Sequence, residues 1–167
     1  MHGMRRIGIQ FYGDGVDVWF SSLEELSVVD FPNLEECSSA INENSFSSLR
    51  KLILKRCCTL TLTSISNLSL LSVLVLDNIP GLFTLPEGLI ASPCLSSLKI
   101  MSFPKLRSLP LPIGNLTALK SLTIAWCEEL SSLPQTLQNL KALDSMEISN
   151  CHEIISMLAG WMVGLEV

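Results

Sequence analysis

The sequence predicts an α/β solenoid: a horseshoe of stacked units with a parallel β-sheet on its concave side and irregular or short-helical segments on its convex side. Three observations lead there. Leucines recur at Leu71, Leu95, Leu119 and Leu143, each 24 residues from the last, and self-similarity at a fixed period of that length is the mark of a repeat architecture. Each of these leucines opens a frame with apolar residues at its first, fourth and sixth places, and the end of the frame alternates apolar with polar, as a strand with one buried face does. Between frames lies a second phrase, Leu-Pro followed by an apolar residue, whose proline bars a regular sheet and extends the residue before it.

Taken in chain order, a degenerate frame at Met4, Ile7 and Ile9 comes first. The regular frames are Leu23, Leu26, Val28; Leu49, Leu52, Leu54; Leu71, Leu74, Leu76; Leu95, Leu98, Ile100; Leu119, Leu122, Ile124; and Leu143, Met146, Ile148. The early intervals, 49−23 = 26 and 71−49 = 22, place the variation in length in the loops. The phrase Phe-Ser-Ser-Leu at both 20 and 46 supports the frame of the weaker repeats. After each strand comes an apolar residue, Phe31, Cys57, Ile79, Phe103, Cys127 or Cys151, and three places on another, Leu34, Leu60, Leu82, Leu106, Leu130 or Ile154. The return limbs start at Leu85-Pro86, Leu109-Pro110 and Leu133-Pro134, and Leu116 and Leu140 lead into the next strand, a role taken earlier by Phe20, Phe46 and Leu68. The unit is a leucine-rich repeat. The chain reads as one domain of about six to seven repeats of roughly 24 residues: a degenerate first repeat over 1–22, six regular repeats over 23–158 and an uncapped tail over 159–167.

Composition fits a stack. The chain has 167 residues, of which 48% are hydrophobic and 16% charged, and a repeat that buries leucines against both neighbours uses that apolar excess. Polar residues interrupt every stretch before 18 consecutive apolar residues accumulate, so no transmembrane helix is expected. The amino terminus lacks the apolar core of a secretory signal. Six cysteines without a CxxC pair read as reduced thiols, which points to a cytoplasmic protein, or a nuclear one. Cys127 and Cys151, one repeat apart, read as packed free thiols and not as a disulfide or metal pair. A net charge of −5, from 16 acidic and 11 basic residues, lacks the basic stripe that a phosphate backbone requires, so nucleic acid is not an expected partner. With His2 and His152 as the only histidines, no catalytic arrangement is legible; the reading is of a protein that is not an enzyme, with no cofactor and no metal.

Solenoids bind through the variable places of the concave strands. The candidate face comprises Glu24, Glu25, Arg50, Lys51, Lys55, Arg56, Lys99, Met101, Lys120, Thr123, Trp126, Asp144 and Glu147. Its densest charge is the basic group Arg50, Lys51, Lys55 and Arg56, expected to pair across strands with Glu24 and Glu25 or to dock an acidic partner surface. Trp126, just past a strand, is either an interface anchor or turn packing. Trp19 and Trp161 are expected to cover core edges. The sequons at Asn67 and Asn115 would suit an extracellular ectodomain, a reading that the missing signal and the missing capping disulfides oppose. Ends without polar caps expose apolar surface, so the isolated chain is expected to be marginally soluble or oligomeric.

The run from Leu119 to Leu140, joining LxxLxIxxCxxL to LPxxLxxL, resembles the repeats of plant nucleotide-binding leucine-rich-repeat disease-resistance proteins. Arg6-Ile7-Gly8, Phe11-Tyr12-Gly13, Phe20 to Leu26 and Phe31-Pro32-Asn33-Leu34-Glu35-Glu36 look like a stretch common in the coiled-coil class of that family. The resemblance implies a recognition and autoinhibitory region of an intracellular immune receptor. Its implied partners are proteins: a pathogen effector, a guarded host protein or the receptor's own nucleotide-binding domain. The chain departs from the full plan, having no GxxxxGK[ST] phosphate loop and no coiled coil, and so resembles a fragment of it. A free-standing intracellular repeat scaffold or a ubiquitin-ligase substrate receptor would share the same frame.

Overall fold

A computed structural model describes residues 6–7, 21–30, 36–37, 46–56, 68–79, 83–85 and 87–154. Eight strands are described: β1 (Arg6–Ile7), β2 (Glu25–Val29), β3 (Glu36–Cys37), β4 (Lys51–Lys55), β5 (Val73–Asp77), β6 (Ser97–Met101), β7 (Ser121–Ala125) and β8 (Ser145–Ser149). Six of them form one parallel sheet in the order β2-β4-β5-β6-β7-β8, so neighbours in the frame series are neighbours in space. The register preserves the frame: Leu52 lies opposite Leu74, Leu74 opposite Leu98, Leu98 opposite Leu122 and Leu122 opposite Met146.

The frame read around Ile7 does not join this sheet. Arg6 and Ile7 pair instead with Glu36 and Cys37 in a separate two-stranded sheet. Apolar periodicity marks a strand without naming its neighbour, and only the regular frames carry enough mutually supporting contacts to dictate theirs. Met4, Ile9, Phe20, Phe31, Leu34, Cys57, Leu60, Leu82, Trp19, Trp161 and the tail 159–167 lie outside the described residues.

The leucines of the frames are the core. Leu52, Leu54, Leu71, Leu74, Leu76, Leu95, Leu98, Ile100, Leu119, Leu122 and Ile124 have no exposed surface. The residues that follow each strand continue the layer inward, with Ile79, Phe103, Cys127 and Cys151 equally buried. A fully buried leucine or isoleucine is worth about 1.5–3 kcal/mol relative to its exposed state. The sequence gains that in every interior unit because a frame there is shielded on both sides. At the two ends the shielding stops: Leu23 and Leu26 are half-buried, and Met146 is 42% exposed although its equivalents inside the stack are at zero.

The convex limbs are short 3-10 segments, η1 (Glu87–Ile90), η2 (Leu111–Asn115) and η3 (Gln135–Asn139). Pro110 and Pro134 precede the last two in extended conformation, φ −69° and −68°, as a ring that locks φ and removes an N–H requires at such an entry. The limbs pack closely. A Cβ added at Gly114 would meet the Cβ and the carbonyl oxygen of Thr136 in the next limb, each at 2.5 Å, and the Thr136 hydroxyl donates to the Leu111 carbonyl at 2.9 Å. Buried Ser92 is held in the same manner, donating to the Leu71 carbonyl at 2.9 Å.

Every strand of the large sheet ends in a residue of left-handed conformation: Asp30, Arg56, Asn78, Ser102, Trp126 and Asn150, with φ between 52° and 62°. The first five donate their N–H to the last strand carbonyl of the following repeat, as Arg56 does to Asp77 at 2.9 Å and Trp126 to Ser149 at 3.0 Å. This turn lifts the chain out of the sheet and swings the next apolar residue into the core. Asp and Asn tolerate the conformation, whereas arginine and tryptophan adopt it at a cost of order 1–3 kcal/mol that the surrounding ladder must hold.

Candidate functional site

The concave face is built from side chains that alternate with the core leucines, and their placement follows from the period of two along each strand. Glu25, Lys51, Lys55, Lys99, Met101, Thr123 and Glu147 stand on the strands, half-buried or exposed. Glu24, Arg50, Lys120 and Asp144 stand one place before them, all exposed. In this preceding row the carbonyls of Glu24, Arg50 and Lys120 each accept two N–H groups from the next repeat, as Glu24 does from Arg50 at 2.8 Å and Lys51 at 3.0 Å. Arg56 and Trp126 occupy the left-handed row at the rim, not the face itself.

Three of the four basic residues, Lys51, Lys55 and Arg56, meet acid, and only Lys51 does so through an expected partner. Lys51 pairs with Glu25 at 3.0 Å, as expected. Lys55 instead faces Asp77 of the following repeat at 3.9 Å, and both guanidinium arms of Arg56 bond Asp30, one at 2.7 Å. The Arg56 hydrogen bonds hold the Asp30 carboxyl below the usual carboxylate range. The Glu24 side chain takes no part in an ion pair among the described residues, and neither does Arg50. Pairing follows the register, in which Lys55 lies directly opposite Asp77; proximity in sequence shows only which charges are abundant. Pairs this exposed contribute at most about 1 kcal/mol each.

Sequence reasoning passed over the apolar centre of this face. Ile53, Val73 and Val75 occupy variable places on β4 and β5 and are half-buried. Ion pairs border them at Lys51–Glu25 and Lys55–Asp77, and Lys99 lies opposite Val75. The signal was present, since these repeats put β-branched residues where others put serine or lysine. Next along the row, Thr123 lies opposite Lys99 and Glu147 opposite Thr123, so the face turns from apolar to acidic toward β8. Trp126 is 56% exposed beside Ala125, which is buried.

Cys127 and Cys151 are both buried free thiols. Each is aimed at backbone: Cys127 Sγ at the Ala125 carbonyl at 3.5 Å, and Cys151 Sγ at the Ser149 carbonyl at 3.4 Å. They occupy the turn as weak donors, and burial pushes the Cys127 thiol up to about 11. Among the described residues no group of three or more His, Cys, Asp or Glu could hold a metal ion, and no described helix is long and apolar enough to cross a membrane.

No family model matches the sequence, and no curated relative does. Among solved structures, the leucine-rich-repeat domain of the bacterial type III effector XopL resembles it with a TM-score of 0.65 and 28% identity over 80% of this chain. The chain is a leucine-rich-repeat solenoid. It spans 47% of that neighbour's chain, about half its length. The likeness is one of repeat fold, and it does not extend to the plant receptor class. A solenoid of this kind is a scaffold for protein contacts, in which the parallel sheet sets the spacing of the variable residues and the partner reads them.

Proposed function

We propose that this leucine-rich-repeat solenoid binds a protein partner on its concave face, as the recognition and autoinhibitory repeat region of a plant intracellular immune receptor. The observation that carries the reading is the apolar centre of Ile53, Val73 and Val75 bordered by weak, exchangeable ion pairs. An apolar centre inside a polar rim is how protein interfaces combine affinity with specificity. The plant class is supported by the phrases around Arg6, Phe11, Phe20 and Phe31 and by the Leu119–Leu140 unit. Its partners on this reading are a pathogen effector, a guarded host protein or the receptor's own nucleotide-binding domain, inside the cell and without catalysis by this chain.

The test is binding to the nucleotide-binding domain of a coiled-coil-class receptor, followed by amide hydrogen exchange. Protection should fall on strands β4, β5 and β6, and Val75→Asp should weaken binding at least tenfold while leaving the fold intact. Protection confined to the convex segments η1 to η3 would refute the concave face. Binding to no such domain or effector, with the face intact, would refute the plant assignment alone.

A further inference from the structure

A second surface lies where the chain leaves the sheet, beyond the left-handed row. Here two contiguous depressions of about 520 and 420 Å³ run across the last four repeats, sharing Arg107 and Glu129. The first holds Phe83, Lys105 and Arg107; the second holds Glu128, Glu129 and Glu153. The period explains the order. Lys105, Glu129 and Glu153 are equivalent places 24 residues apart, as are Phe83 and Arg107, so each repeat sets one residue of the first column against one of the second from the repeat before. Lys105 lies over the ring of Phe83, 5.3 Å from its centre, and Glu129 accepts from Arg107 at 3.0 Å.

We infer that this groove is a docking track for an extended segment of a protein partner carrying a carboxylate and, about three residues away, a cationic side chain. It is separate from the concave face and from the reading proposed for it. Charge complementarity selects the occupant: the track is cationic at Lys105 and Arg107, and anionic at Glu128, Glu129 and Glu153. The spacing follows from the stack. Lys105 and Glu153 are two repeats apart, about 10 Å at the spacing of parallel strands, a span that an extended segment in polyproline-II conformation covers in about three residues at roughly 3.1 Å each, with side chains three apart on the same side. Phe83, 60% exposed, offers apolar contact beside the carboxylate site. The Arg107–Glu129 pair between the two ends is 82% and 47% exposed. Such a pair is worth at most about 1 kcal/mol, so a partner can exchange it for its own two charges at little cost.

Fluorescence anisotropy with labelled synthetic octapeptides tests this on the whole chain. A peptide with glutamate and arginine three residues apart should bind at least tenfold tighter than one of the same composition with the two adjacent. The double variant Glu128→Lys/Glu153→Lys should lose that peptide at least tenfold and gain one with two glutamates three residues apart, whereas Val75→Asp on the concave face should change neither. Lys105→Ala, a milder exposed change, should weaken the glutamate–arginine peptide several-fold. Equal binding of the spaced and adjacent peptides, binding of neither, or wild-type affinity in the double variant would overturn the track.

Discussion

Replacing Gly114 by alanine sets two effects of opposite sign against each other. The φ of Gly114 lies outside the left-handed region, so on backbone grounds alone alanine would stabilise by about 0.4–1 kcal/mol, through the entropy it removes from the unfolded chain. Against this, the new methyl would stand 2.5 Å from both the Cβ and the carbonyl oxygen of Thr136. Carbon contacts are optimal at about 3.5–4.0 Å, so the η2 and η3 limbs would have to part by roughly 1 Å. The carbonyl belongs to backbone and cannot rotate away, and the Thr136 hydroxyl bond to Leu111 ties the two limbs together. Overpacking of this kind costs about 1–3 kcal/mol, so the net expectation is a destabilisation of about 1–2 kcal/mol. Urea unfolding followed by circular dichroism measures it, and the midpoint should fall without a change in slope. Thr136→Gly in the Gly114→Ala background should recover only part of the loss, because the carbonyl clash stays. A variant as stable as the parent, or more so, would refute the reasoning and show that the limbs part freely.

Leu98→Ala, at a site of zero exposure with Leu74 and Leu122 on either side, should cost about 2–5 kcal/mol. Met146→Ala, at the same frame position but 42% exposed, should cost less than half as much in the same unfolding measurement; equal costs would mean that the last repeat is shielded in solution. Burial raises the Cys127 thiol to about 11 from its ordinary 9.0, so the folded chain favours the protonated form. The stability this confers is complete below pH 9 and is lost as pH rises from 9 toward 11, about 2–3 kcal/mol in all, and Cys127→Ala should flatten that part of the profile. At neutral pH iodoacetamide followed by peptide mass mapping should label exposed Cys94 within minutes and leave Cys127 and Cys151 unmodified; prompt labelling of all three would show that the stack opens readily.

Much of the fold was legible because the repeats spell out the same instruction six times. Every regular frame supplies a strand, every later return limb a 3-10 segment after its proline, and Cys127 and Cys151 are packed thiols. The candidate face was legible only as a set of places. Lys51 meets Glu25, yet Lys55 meets Asp77 and Arg56 meets Asp30, because pairing across a sheet depends on register and on the direction each turn gives its last residue. The docking track escaped the reading for a similar reason. Its 24-residue spacing is present at Lys105, Glu129 and Glu153, but spacing alone does not show that the turns of successive repeats line a common depression.

Sequence alone determined the period, the strand frames, the buried columns and the stop that proline puts to each limb, since these depend on residues a few places apart whose alternation has one physical outcome. Tertiary structure decided which strand Ile7 joins, which charges neutralise one another, that Gly114 sits against Thr136, and that Phe83, Lys105 and Glu129 share a groove. Those depend on what the neighbouring repeat presents a few ångströms away, and the chain that brings them together is some 20 residues long.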